Sequence, residues 1–329
     1  MITKEKRLIA SILNLILIIS FLFVGCDRHN DSQMVTDNSC FSVHFLDVGN
    51  GDCIFINFGD GKTMLIDCAE KTDKNQDKIL NILNEYFANE LDYLVLTHPD
   101  NDHVGNLKAI ADKVVVDKAY VPKIDCLTSL REYSLALDTL REKGTEFIIS
   151  EQMKTIKGGD YLMLFLSPYP VGHSLSSYGE YNLSLDKTED LTNDLSPIIY
   201  LEYNEVKFLF TGDAGKSQEK IVLDSYFVGA FNEYLNDQTF SLENIDFLKV
   251  AHHGASSSTS LEFLEVIKPK NAVISVGGNN FYGHPSTTVI SNLIKDNEEI
   301  NIYRTDRDGS VSVFVDEEGK ISVMKESGK

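Results

Sequence analysis

The chain is short of positive charge. Thirty lysines and arginines stand against fifty aspartates and glutamates, a formal net charge of −20 at pH 7. That balance argues against a broad basic surface that grips a polyanion by counterion release, although a local cationic site could still reach one. Acidity alone reads as solubility. Cysteine is scarce as well: five in 329 residues, with no CxxC pair, which argues against a cysteine zinc site. Cys53 and Cys68 sit in apolar strand-like runs and read as buried thiols. A Cys40–Cys126 disulfide is open to a chain outside the membrane, but sequence cannot show it. Repeats and low-complexity runs are absent.

Hydrophobic residues make up 43% of the chain, enough for a sizeable core. The one long apolar run comes first. Lys4, Lys6 and Arg7 precede LIASILNLILIISFLFV, and VGC follows. A basic start, an apolar stretch and a small residue before a cleavage point make a secretory signal. The cysteine directly after Gly25 gives residues 1–26 the look of a bacterial lipoprotein signal, with Cys26 lipidated, although Phe23 stands where leucine is usual. The alternative is an uncleaved anchor helix. Either reading puts the remainder outside the cytoplasmic membrane. Residues 27–40 are polar and aperiodic, a flexible tether.

Residues 41–326 alternate between two kinds of segment. FSVHFLDV, DCIFINF, KTMLIDC, LDYLVLT, VVVDKAYV, EFIIS, YLMLFLS, PIIYLEY, KFLFTGD, IDFLKVA, NAVISVG and SVSVFVD read as strands. DKILNILNEYF, SLREYSLALDTLREKG, AGKSQEKIVLDSYF, LEFLEVI and STTVISNLI have helical spacing. The pattern predicts an α+β fold, an αββα sandwich of two mixed sheets flanked by helices. Residues 172–195 form a long polar loop of the kind that often carries function.

Chemistry-bearing residues fall at strand ends. THPDNDHVGN, after the run YLVLT, packs His98, Asp100, Asp102 and His103 onto one turn. Metal ligands need lone pairs aimed at one point, and imidazoles and carboxylates on a tight turn supply them. Asp213 follows another strand in LFTGDAG, His252 and His253 follow a third in LKVAHHG, and Asn193 stands at the edge of a fourth in TNDLSP. A lone aspartate after a strand is usually a helix cap. Together these stretches predict a dinuclear metal site.

The stretches FLDVGNGDC, LIDC, THPDNDHVGN, NDLS, LFTGDAG, LKVAHHGASSS, YGHPS and RTDRDGSVSV, in this order over residues 41–325, resemble the metallo-β-lactamase superfamily. The closer likeness is to its ComEC-like branch, named for the extracellular hydrolase domain of a competence DNA-uptake channel. The resemblance implies one metal on His98, Asp100 and Asp213, and a second on Asp102, His103, His253 and the bridging Asp213, with a hydroxide shared between them. Asp100 replaces the second histidine of the usual HxHxDH motif. Asn193 stands where a further histidine is usual, and His173 is a candidate substitute. Such an oxygen-rich site favours harder ions, manganese slightly ahead of zinc.

The resemblance further implies metal-dependent hydrolysis, first of a phosphodiester in the manner of a nuclease. Alternatives are a phosphocholine or other small phosphoester, a lactone or amide, or a non-catalytic lipid-anchored binding module. Asp102 is a catalytic candidate besides its ligand role. His252 and His284 are candidates for contacting phosphate or protonating the leaving oxygen. Asn193 and Ser196 would orient groups by hydrogen bonds, and Asp67 would hold the ligand turn from behind. Gly49 and Gly51 would permit a sharp turn near the site, with Asp47 and Asp52 stabilising it. Asp306 is expected to cap a terminal hairpin. Lacking the long membrane region of the channel, the chain is expected to be a stand-alone, membrane-anchored lipoprotein at the cell surface or periplasmic face. Its expected partners are a phosphoester, DNA or a phosphocholine compound among them, and the membrane through Cys26. Nothing in the sequence calls for an obligate protein partner.

Overall fold

Alternation along each strand builds the layers. In Ile54, Phe55 and Ile56 successive side chains turn to opposite faces. Ile54 and Ile56 enter the core between two sheets, while Phe55 packs under a layer of helices. The computed structural model describes residues 39–86, 88–123, 131–168, 192–234 and 239–326. The leader, Cys26, Cys126, His173 and most of the 172–195 loop lie outside them.

The first sheet contains β1 (Phe41–Phe45), β2 (Ile54–Asn57), β3 (Thr63–Ile66), β4 (Glu90–Val95), β5 (Val115–Val121), β6 (Glu146–Ile149), β14 (Val311–Val315) and β15 (Ile321–Lys325). The second contains β7 (Thr155–Lys157), β8 (Tyr161–Phe165), β9 (Ile199–Tyr203), β10 (Val206–Phe210), β11 (Phe247–Lys249), β12 (Asn271–Ile274) and β13 (Asn301–Arg304). Among the described residues the spatial orders are β15-β14-β1-β2-β3-β4-β5-β6 and β13-β12-β11-β10-β9-β8-β7. Both sheets are mixed. Pairing is antiparallel around β1 and β2, then parallel from β3 to β6. In the second sheet it is antiparallel from β7 to β10 and parallel from β10 to β13.

Phe41, Val43 and Phe45 of β1 meet Phe208 and Phe210 of β10 in the core between the sheets. On the outer face of the first sheet, Leu65 and Leu94 pack on Ile79 and Leu83 of the helix Asp73–Glu85, Leu107 and Ile110 of Leu107–Lys113, and Leu140 of Arg131–Glu142. The other outer face buries Leu209 and Leu248 under Val222 of Lys216–Phe227, Phe263 of Leu261–Ile267 and Leu293 of Thr287–Asp296. This is the expected αββα sandwich. Thr72, Ser260 and Ser286 cap three of these helices by accepting from the third backbone N–H beyond them.

Two details, a strand and an aspartate, differ from the sequence reading. The short strand β7 was not expected, because three residues with one buried side chain carry too little pattern. Asp306 caps no hairpin: it lies in the one-turn helix Thr305–Asp308 and pairs with Arg304 at 2.7 Å. Cys40 is disulfide-bonded, with its partner outside the described residues. Cys53 and Cys68 are buried free thiols as expected, and burial pushes both up in pKa. No helix among the described residues is long and apolar enough to cross a membrane.

Parallel pairing fixes where the site can be. β3 and β4 run in one direction, as do β10, β11 and β12, so within each group the carboxyl ends open at one rim. Loops there are the usual place for ligands in sheets of this kind.

Candidate metal centre

The turn after β4 carries His98 and then the short helix Asn101–Val104, with Asp102 and His103 in it. Asp213 follows β10, and His252 and His253 follow β11. Both of these histidines adopt left-handed backbone, φ 49° and 52°, which costs L-residues on the order of 1–2 kcal/mol each and is held by the surrounding packing. Gly254 at φ 87° completes the bend.

Buried groups form the floor. His98 and His103 are fully buried, and Asp213 and His253 nearly so. His98 Nε2 stands 3.6 Å from Asp100 Oδ2 and 3.9 Å from Asp213 Oδ2. His103 Nε2 is 3.3 Å from Asp213 Oδ1. His253 Nε2 is 3.4 Å from Asp102 Oδ2 and 3.5 Å from Asp213 Oδ2. Asp213 thus lies between His98 on one side and His103 and His253 on the other. Asp100 and Asp102 are part-exposed and form the rim.

The opposite nitrogen of each floor histidine is spoken for. His103 Nδ1 donates to Asp67 Oδ2 at 2.7 Å, and His253 Nδ1 donates to the Ser275 carbonyl at 2.9 Å. His98 Nδ1 is 3.1 Å from Thr97 Oγ1 and 3.2 Å from Ser196 Oγ. Every Nε2 therefore faces inward. Those three nitrogens and Asp213 Oδ1 are buried and make no hydrogen bond within the protein. Buried polar atoms are ordinarily partnered. A convergent set without partners, made of imidazole and carboxylate, fits a divalent cation.

Electrostatics point the same way. Burial pushes the Asp213 carboxyl up, but the imidazoles of His103 and His253 outweigh it and hold the group well below the carboxylate range. Asp102 is likewise lowered, burial being overcome by its contact with His253 and by the charge of His103. Burial alone would lower the histidines; Asp213 and Asp67 instead hold His103 well above its ordinary value, and Asp213 with Asp102 raises His253 to about 9. Without metal, protons take the place of cations among these carboxylates.

The remaining expected residues gather around this floor. Asp67, itself left-handed at φ 60°, accepts from Thr97 N and Oγ1 at 2.8 and 2.7 Å while gripping His103. Asn193 is buried in the one-turn helix Asn193–Leu195, and the preceding Thr192 hydroxyl reaches Asp100 at 3.5 Å. Ser196 links the two sides, touching His98 and accepting from Asp213 N at 3.2 Å. His252 Nε2 stands 3.8 Å from Asp213, and the His284 ring lies 5.7 Å from that of His252. Burial lowers the pKa of both His252 and His284. Gly51, at φ 113°, lies against the Asp102 carbonyl, where an added Cβ would fall 2.1 Å from the oxygen.

Sequence reasoning missed Lys249 and undervalued Asp52. Both are buried, and their side chains form an ion pair beneath His253. Lys249 Nζ also donates to the Gly212 carbonyl at 3.1 Å, next to Asp213. Asp52 Oδ1 is 3.7 Å from His253 Nδ1, so Asp52 does more than stabilise a turn. The signal was a lysine inside the apolar run FLKVA, since a lysine is almost never buried without a partner.

Comparison with known proteins agrees with this picture. A family model described as the metallo-beta-lactamase superfamily matches residues 46–278. ComE operon protein 3 of Bacillus subtilis is 27% identical over 325 residues, 89% of this chain and 38% of that protein. Recombination protein 2 of Haemophilus influenzae is 28% identical over 259 residues, 77% of this chain and 26% of that protein. The chain thus spans well under half the length of these relatives. Among solved structures, the metallo-beta-lactamase fold protein YhfI of Bacillus subtilis superposes at a TM-score of 0.44 and 12% identity, covering 86% of this chain and 99% of that one, too loose a likeness to argue from.

Proposed function

The chain belongs to the metallo-β-lactamase superfamily, in the branch that resembles ComEC, and from that premise we propose that it is a phosphodiesterase of nuclease type dependent on two divalent cations. The observation that carries the reading is the set of inward-facing, unpartnered Nε2 atoms of His98, His103 and His253 around Asp213. His98, Asp100 and Asp213 would hold one cation, and Asp102, His103, His253 and Asp213 the other. When bound, such a pair lowers the pKa of water and neutralises the charge of a phosphate.

The chain's own residues supply the rest. Asp67, Ser275, Thr97 and Ser196 fix the tautomer and orientation of the three imidazoles. Asp102 would serve as a ligand whose loss ends catalysis. His252 and His284, with lowered pKa values, are largely neutral near pH 7, which favours an N–H hydrogen bond to a phosphoryl oxygen over proton donation to the leaving oxygen. The carboxylate at Asp100, and an asparagine rather than an imidazole at position 193, support manganese ahead of zinc. The relative named Recombination protein 2 supports nucleic acid as the substrate class. We further propose that Cys26 carries a lipid and that the domain works outside the cytoplasmic membrane.

Metal-stripped protein, reloaded with manganese or zinc, should be offered single-stranded DNA, bis-p-nitrophenyl phosphate, p-nitrophenyl phosphocholine and a lactone. Hydrolysis of the first two, abolished by Asp102→Ala, is expected. Turnover of the lactone alone would overturn the phosphodiester reading. Binding of DNA without hydrolysis, untouched by Asp102→Ala, would make the domain a binding module. Activity restored by zinc and never by manganese would refute the metal preference.

A further inference from the structure

We propose that Phe281 and Tyr282 form a stacking platform for a nucleobase beside the scissile phosphate, an inference that rests on the phosphodiesterase reading. Both rings lie in solvent: Phe281 is 102% and Tyr282 78% exposed. They sit in the loop between β12 and the helix Thr287–Asp296, which also carries His284. Large apolar side chains left uncovered side by side need a reason when they adjoin a site.

The loop is built to present them. The Asn280 amide donates to the carbonyls of Gly277 and His284 at 2.9 and 2.8 Å and accepts from His284 N at 2.8 Å. This clamp ties the two ends of the tip together and leaves the aromatic pair outside it. The Tyr282 ring lies 17° from the plane of His284 at 5.8 Å, and His284 meets His252 at 5.7 Å. His252 in turn stands 3.8 Å from Asp213. Tyr282 thus stacks on His284, which meets His252 edge-on at 67°, and this line of three rings leads from the candidate metal centre to the exposed tip.

Two features select the occupant. Aromatic recognition of a quaternary ammonium works by cation–π contact with ring faces, best where the cation is desolvated, whereas these two rings are in the open. An open aromatic face suits a base of an unpaired strand, because base–aromatic stacking itself does not draw on charge in a chain of net charge −20. The cavity of about 420 Å³ lined by Gly278 and Asn279 sets Asp47, Glu70 and Asp306 against the single cation Lys74, a net negative lining that disfavours a phosphate chain, so the strand is placed on the His252 side.

The test compares single-stranded oligonucleotides that are intact or abasic at one position, using the full chain with manganese. Stacking worth about 1–3 kcal/mol per base predicts that kcat/KM for the intact strand exceeds that for the abasic strand by about 5- to 160-fold. Phe281→Ala/Tyr282→Ala should bring the ratio near one, and Tyr282→Trp should keep it. Binding of a 2-aminopurine oligonucleotide to metal-stripped protein should quench its fluorescence, and the double substitution should remove the quench. Equal cleavage of intact and abasic strands, or an unchanged ratio in the double variant, overturns the platform and leaves the phosphodiesterase reading standing. Cleavage of neither strand overturns both. A double variant that loses turnover of p-nitrophenyl phosphocholine while keeping the strand ratio assigns the tip to choline and overturns the inference.

Discussion

Replacing Lys249 by methionine removes one charge from a buried pair and leaves the other. The Asp52 carboxylate would then sit in a site where it and Lys249 are both shut off from solvent. Breaking a buried pair in this way costs about 3–5 kcal/mol, because an ion left without its partner keeps its desolvation penalty. The second contact of Lys249 adds little, since the Gly212 carbonyl also accepts from His252 N at 3.0 Å and stays satisfied. Nearly all the loss is therefore electrostatic, and it should be recoverable. Asp52→Asn in the same chain removes the stranded charge, so Lys249→Met/Asp52→Asn should regain on the order of 2 kcal/mol over Lys249→Met alone. Urea unfolding of the metal-stripped protein, in wild type, both single variants and the double, gives the cycle. The reasoning is refuted if Lys249→Met costs less than about 1 kcal/mol, or if the two single losses simply add.

Asp67→Asn should weaken metal binding about 10- to 100-fold, measured by competition with a chelator, because it loosens the grip on His103 Nδ1. The raised pKa of His253, about 9 against an ordinary 6.5, makes its stabilisation of the metal-stripped protein complete below pH 6.5 and lost as pH rises through about 9, on the order of 3 kcal/mol, with His103 acting in the same direction. The urea midpoint of stripped protein should accordingly fall between pH 6.5 and 9.5 while metal affinity rises; a flat midpoint contradicts the assignment. Gly51→Ala should destabilise the fold by more than about 1 kcal/mol and depress metal affinity, since its Cβ would displace the Asp102 carbonyl; unaltered thermal unfolding would contradict it.

The candidate ligands were legible because each lies on a turn with a composition of its own. The stretch THPDNDHVGN announces itself without any partner, and the place of Asp67 behind it came from the family resemblance of LIDC. Layer order was legible for the same reason: helical and strand periods differ, and most of the described elements are long enough to display one or the other. What escaped detection depends on two distant segments meeting. Asp52 and Lys249 are separated by most of the domain, so their pairing exists only after the sheets pack. The anchoring of His253 by the Ser275 carbonyl is of this kind too, a backbone oxygen having no pattern to betray it. His252 and His284 were found by position, but the burial that lowers their pKa values and turns them from acids toward hydrogen-bond donors was not.

The antiparallel pairing of Phe41 with Val315 carries a lesson for how the chain is made. β1 is an inner strand, yet its neighbour on one side belongs to the last part of the domain to be synthesised. Until β14 arrives, that flank of the growing sheet stays open, and contacts so far apart in sequence form slowly. Shortening the chain anywhere before residue 311 would leave the edge bare and prone to pairing with other molecules.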